Sequence, residues 1–191
     1  MFYNNQSKDS ITKYKDSLKL IGSLSNIFSE SDVPYLYYRV AEKLFNKAFS
    51  ADDLSRSDVA IDSKFDRLGI GLKTFLRNND KTFQKVAEFN AVREEYANKS
   101  DKEIVDFISQ ARNKRLDICL EGYGVDTLIY HCLTRCDNLI SIYEFSMDMI
   151  QIDKIKNITR NTNTIQFEDE LHQYSFNLSK STLYKRFICE N

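Results

Sequence analysis

Two apolar, strand-like runs that carry charge constrain this chain more than any other feature. Ser57-Asp58-Val59-Ala60-Ile61-Asp62 and Ile70-Gly71-Leu72-Lys73-Thr74-Phe75 flank a short polar turn and read as the arms of a hairpin. An ammonium inside an apolar strand must keep its water or find a partner, because burying an uncompensated charge is costly. Two aspartates at even spacing on the facing arm pose the same demand. A shared metal site satisfies all three charges; a plain ion pair between Asp58 and Lys73 on a half-exposed sheet satisfies two of them.

Pairing geometry ranks the carboxylates. With the turn centred between Phe65 and Asp66, Asp58 falls opposite Lys73, and Gly71 lies one same-face step away. Directly opposed residues hold their Cβ atoms about 5 Å apart. Asp62 shares that face but stands four residues along, about 13 Å away at strand rise. On this register Asp58 is the lysine's neighbour and ranks above Asp62, which either sits near the hairpin tip with a structural or second role or is brought closer by a bulge; both stay among the catalytic candidates.

At 191 residues, 42% of them apolar and 13% aromatic, the chain can fill a core, which argues against disorder. The expectation is a single domain over 1–191, with N-terminal helices over 1–50, a catalytic core over 51–117 and a β-rich part over 118–191. A formal net charge of -1 gives no global positive field, although carboxylates beside local basic patches remain compatible with nucleic acid. Cys119, Cys132, Cys136 and Cys189 form no CxxC pair, so reduced thiols are expected, and His131 with Cys132 and Cys136 is a poor zinc pattern. No apolar run has the length of a membrane span. A cytoplasmic, membrane-free protein is the expectation.

Helical periodicity runs from Ser10 to Phe28 through Ile11, Leu18, Ile21 and Leu24. A second helix is expected with Ser31 or Asp32 as cap, Pro34 in its first turn, and a stripe of Leu36, Tyr37, Val40, Ala41, Leu44, Phe45 and Ala48. Glu42 sits at the edge of that stripe. After a turn and cap at Asn78-Asn79-Asp80, the spacing of Phe83, Val86, Ala87 and Phe89 predicts a helix over 81–96, and Ser100-Asp101-Lys102-Glu103 is a capping box for another. Strands follow over 125–135 and 139–145, turning at Cys136-Asp137-Asn138. Two more, over 164–167 and 174–178, turn near Glu168-Asp169-Glu170. The class is α+β, or mixed α/β.

Asp58, twelve residues, then Gly71-Leu72-Lys73, following a helix with Glu42 and preceding a segment with Gln84 and Glu88, resembles the motif region of the PD-(D/E)XK nuclease superfamily. That superfamily includes Holliday-junction resolvases and type II restriction endonucleases; the match spans roughly 33–96. Gly71 stands where the superfamily has an acidic residue. The resemblance implies that Glu88 replaces it, as in enzymes that relocate this carboxylate to the next helix, with Glu42 as a further ligand. It implies Mg²⁺ held by Asp58 and Glu88, Lys73 orienting the attacking water, and hydrolysis of duplex DNA by a homodimer.

The stretch Tyr174 to Phe187 alternates apolar anchors with hydroxyls and cations. Lys180, Ser181, Lys185 and Arg186 are its candidate DNA contacts, with Arg135 as a lesser one. The functional expectation is a Mg²⁺-dependent endonuclease of the restriction type. A non-catalytic DNA-binding module on the same scaffold and a repair or recombination nuclease are the alternatives.

Overall fold

The structure is a computed structural model; it describes residues 1–28, 30–57, 59–77 and 81–189, the side chains of Asn26 and Lys81 apart. In chain order its elements are α1 (Lys8–Phe28), α2 (Tyr38–Phe49), β1 (Asp52–Asp53), β2 (Ser63–Phe65), β3 (Leu68–Leu76), β4 (Lys81–Glu88), α3 (Arg93–Tyr96), α4 (Asp101–Gly122), β5 (Thr127–Cys136), β6 (Leu139–Ser146), β7 (Lys156–Asn161), β8 (Thr164–Glu168), β9 (Gln173–Asn177) and β10 (Thr182–Ile188). The class is α+β. Among the described residues the strands form two five-stranded sheets, and the chain divides into two compact units.

The first unit comprises Met1–Asn78 and Ile118–Asp148. Its sheet runs β1-β2-β3-β5-β6. β3 and β5 pair in parallel over nine residues, and the other neighbours are antiparallel. A parallel pair needs a long crossover, and here the connection from β3 to β5 contains β4 and α4. The core of this unit gathers Tyr14 and Leu18 of α1, Ala41, Phe45 and Phe49 of α2, and Ile70, Leu72 and Leu133 of the sheet. These α2 positions recur at four-residue intervals, so one face of the helix is apolar and docks.

Pro34 does not start α2. It lies in an extended approach in which Leu36 is buried, and the helix begins only at Tyr38, with Tyr37 as a cap that supplies no side-chain bond.

The second unit comprises Asn79–Asp117 and Met149–Asn191. Its antiparallel sheet runs β4-β10-β9-β8-β7 around a core of Ala87, Phe89, Tyr96, Ile104, Val105, Ile108, Ile165, Phe167, Tyr174, Phe176 and Leu183. The helix expected over 81–96 is β4 followed by a short 3-10 turn and α3. Phe83, Val86 and Ala87 suit a helix by spacing, but β10 offers a full ladder, from Thr182↔Glu88 to Ile188↔Lys81, and that non-local pairing wins. The Asn78-Asn79-Asp80 turn lies outside the described residues. Both sequence-expected hairpins form, and Asn138 takes the left-handed conformation (φ 54°) at the first.

Candidate active site

The face of α2 that carries Glu42 also carries Asn46, one turn later. Ser63 Oγ donates to Asn46 Oδ1 at 2.5 Å, tying that face to the first residue of β2. Glu42 is thereby held beside the segment that enters the hairpin, and it is only 7% exposed.

β2 and β3 pair as Ser63↔Ile70, Lys64↔Gly69 and Phe65↔Leu68. The turn is therefore centred between Asp66 and Arg67, with Asp66 left-handed (φ 50°). This is one residue later than the sequence suggested, and every cross-strand partner moves by two. Asp62 consequently becomes the carboxylate beside Gly71-Leu72-Lys73, which corrects its assignment to a distant hairpin tip. Its N–H donates to the Ile70 carbonyl at 2.8 Å, and its Oδ2 accepts the Leu72 N–H at 2.7 Å. Asp58, the first choice from the sequence, lies outside the described residues.

Asp53 joins from the neighbouring strand, where it pairs with Ser63. Its Oδ1 accepts from the Ser55 N–H at 3.0 Å and from Ser55 Oγ at 2.6 Å, which holds the carboxyl below its usual range. Glu42 behaves oppositely. Burial, then the charges of Asp62 and Asp53, push it up to about 7, against the pull of Lys73 and Arg39. Asp62 is also raised, chiefly by burial, while Lys73 and the Leu72 N–H oppose the shift. The Lys73 ammonium lies 5.9 Å from the centre of the Tyr130 ring.

A buried glutamate that neighbouring carboxylates push toward the neutral form makes a place that a cation would relieve, and carboxylate oxygens suit a hard ion. Among the described residues no three His, Cys, Asp or Glu side chains close into a metal cage. Mg²⁺ seldom needs one, because one or two carboxylates with water and substrate phosphate complete its shell. Glu42 and Asp62 are the carboxylates that would supply them. A cleft of about 520 Å³, lined by Arg39, Glu42, Lys43, Asp53, Ser55 and Arg56, opens at Glu42. Arg39, Lys43 and Arg56 were not singled out in the sequence, although Arg39, Glu42 and Lys43 at i, i+3 and i+4 signal one helix face.

The remaining sequence candidates are placed differently. Gly71 leaves no open room for a relocated carboxylate: a Cβ there would come within 2.7 Å of the Met147 methyl and 3.2 Å of the Tyr130 ring. Glu88 stands on β4 of the second unit, not on a helix following Lys73, and its carboxylate is paired with Lys85 at 2.8 Å and Asn90 at 2.6 Å.

The proposed DNA contacts divide. Lys185 is buried, its Nζ 3.1 Å from His172 Nε2, and Ser181 is buried in a left-handed turn (φ 49°), so neither is presented to a ligand. The cause is strand alternation, which turns Leu183, Lys185 and Phe187 inward and Arg186 outward. Lys180 is exposed in the turn before β10. Arg135 is half-buried and donates to the Pro34 carbonyl at 3.1 Å, a tie between β5 and the approach to α2.

Elsewhere in the unit a buried string links Tyr14 Oη to His131 Nε2 at 3.1 Å and His131 Nδ1 to Glu144 Oε1 at 3.1 Å. None of the four cysteines is joined in a disulfide. Among the described residues no helix is long and apolar enough to cross a membrane. No family model matches this chain, and neither a curated protein nor a solved structure matches it.

Proposed function

We propose that the chain is a Mg²⁺-dependent endonuclease that hydrolyses phosphodiester bonds in DNA, with Glu42, Asp62 and Lys73 as its working residues. One observation carries this reading: Glu42, buried at a cleft rimmed by Arg39, Lys43 and Arg56, is raised toward neutrality by burial and by the charge of Asp62, and Lys73 opposes the upward shift of both carboxyls. The order of parts also fits the nuclease resemblance. A helix with a glutamate is followed by a three-strand antiparallel meander, then a crossover containing a helix, then a parallel strand. Asp62 and Gly71-Leu72-Lys73 occupy the two arms of its second hairpin.

Each residue has a distinct task. Glu42 and Asp62 would hold the cation, which when bound polarises the scissile phosphate and lowers the pKa of coordinated water. Lys73 supplies a compact positive charge that orients the attacking water and offsets charge building on the phosphate oxygens. Arg39, Lys43 and Arg56 anchor flanking phosphates, which fixes register on the strand without reading sequence.

Gly71 favours a second reading, a DNA-binding module that lacks chemistry, because the place of an acidic side chain is filled by Met147 and Tyr130. Incubating purified protein with supercoiled, branched and single-stranded DNA in Mg²⁺ separates the two. Wild type should cut, and Asp62→Asn and Lys73→Ala should each lose about 100-fold or more in rate, the scale of removing one transition-state stabiliser. Cutting by wild type and both variants at one rate would sink the site. DNA binding with no cutting in any metal would leave the module.

A further inference from the structure

The second unit carries one sheet face that faces solvent. Strand registers set two rows of side chains across it, because directly opposed residues share a face. One row runs Lys85, Tyr184, Ser175, Gln166 and Thr159, and the other runs Phe83, Arg186, Gln173 and Glu168 with Asn157 at its end. The opposite face carries Leu183, Phe176, Ile165 and Phe167, which are core.

The second row is a connected hydrogen-bonding string. Arg186 lies over the Phe83 ring, 5.9 Å from its centre, and bonds Gln173. Gln173 Nε2 donates to Glu168 Oε2 at 3.1 Å, and Asn157 Nδ2 donates to Glu168 Oε1 at 2.6 Å. Together with Gln166 and Thr159 these residues line a cavity of about 360 Å³. Amide, guanidinium and carboxylate groups grouped around an aromatic ring match the edges and face of a nucleobase.

Width decides between paired and unpaired bases. Five strands at about 4.8 Å spacing set β4 and β7 some 19 Å apart. The major groove is about 12 Å wide and admits a two-stranded ribbon. A five-stranded face does not enter it, whereas splayed bases of a single strand can lie across such a sheet.

We infer that this face binds an unpaired nucleobase in the cavity between Phe83, Arg186 and Glu168, so that the substrate of the chain includes a single-stranded stretch. The inference rests on the nucleic-acid reading above and narrows it to strands with unpaired bases. Arg186 keeps its place among the DNA contacts, with a base edge in place of a phosphate as its partner.

Fluorescence anisotropy of the full chain in EDTA tests it, using a labelled mixed-sequence 20-mer as single-stranded DNA, as single-stranded RNA and as duplex. At least one single strand should bind about tenfold or more tightly than duplex. Phe83→Ala with Arg186→Gln should weaken that binding by about tenfold. Gln166→Ala with Gln173→Ala, both at exposed positions, should weaken it several-fold. Equal affinity for duplex, or single-strand affinity unchanged in both double variants, overturns the inference. Because binding is read without metal, a chain that binds single strands yet cuts nothing sinks the nuclease reading alone. A chain that cuts duplex and ignores single strands sinks this inference alone.

Discussion

Glu42 shows how much a single residue's setting can change its meaning. In the sequence it borders an apolar stripe, and a solvated helix edge is its ordinary fate. In the fold it is buried beside two other carboxyls. Its pKa of about 7 stands above its ordinary 4.5. Between those values the folded chain holds a proton that the unfolded chain has released, so this residue's contribution to stability falls as pH rises through that window. Glu42→Gln removes the titration. The variant should be more stable than wild type by about 1–3 kcal/mol above pH 7 and should match it near pH 4.5, read from denaturant melts across that range. A difference that stays constant with pH would contradict the assignment.

His131 works in the opposite sense. Burial lowers its pKa, against the nearby Glu144, so its contribution is lost as pH falls through the histidine range. Asp62 was legible as a residue type and misread in position. A one-residue error in the turn moved its partner by two, because the sequence around Phe65-Asp66-Arg67 does not specify which pair turns.

At the scale of elements, local chemistry was legible where it is self-contained. The capping box at the start of α4 is present in full. Glu103 Oε2 accepts from Ser100 Oγ at 2.6 Å and from the Ser100 N–H at 2.9 Å, and the Glu103 N–H donates back to Ser100 Oγ at 3.4 Å. Ser100→Ala should cost about 1 kcal/mol, the usual worth of an N-cap, while Ser100→Asp should cost less. A thermal melt unchanged by Ser100→Ala would mean that packing of Ile104, Val105 and Ile108 alone holds that end. β4 was not legible, because its apolar spacing serves either helix or strand and the partner that decides lies a hundred residues away in β10. Misreading that strand is also what put Glu88 in the candidate site.

For the whole molecule, composition and pattern carried the α+β class, and both late hairpins could be read from turn residues flanked by β-rich runs. The division into two units could not. Each unit is built from two separated stretches of chain, so no composition shift or linker marks a boundary, and the parallel pairing of β3 with β5 across a long intervening stretch of sequence leaves no local trace.

We propose above all that Glu42 and Asp62 hold a divalent cation. Isothermal titration of Mg²⁺ into wild type and the Glu42→Gln/Asp62→Asn variant at pH 7, repeated in two buffers of different ionisation enthalpy, checks this. Wild type should bind with release of part of a proton, since a cation displaces the proton that Glu42 holds near pH 7. The variant should lose about tenfold or more in affinity, together with the proton release. Equal binding by both proteins, with heats independent of buffer, would contradict the claim.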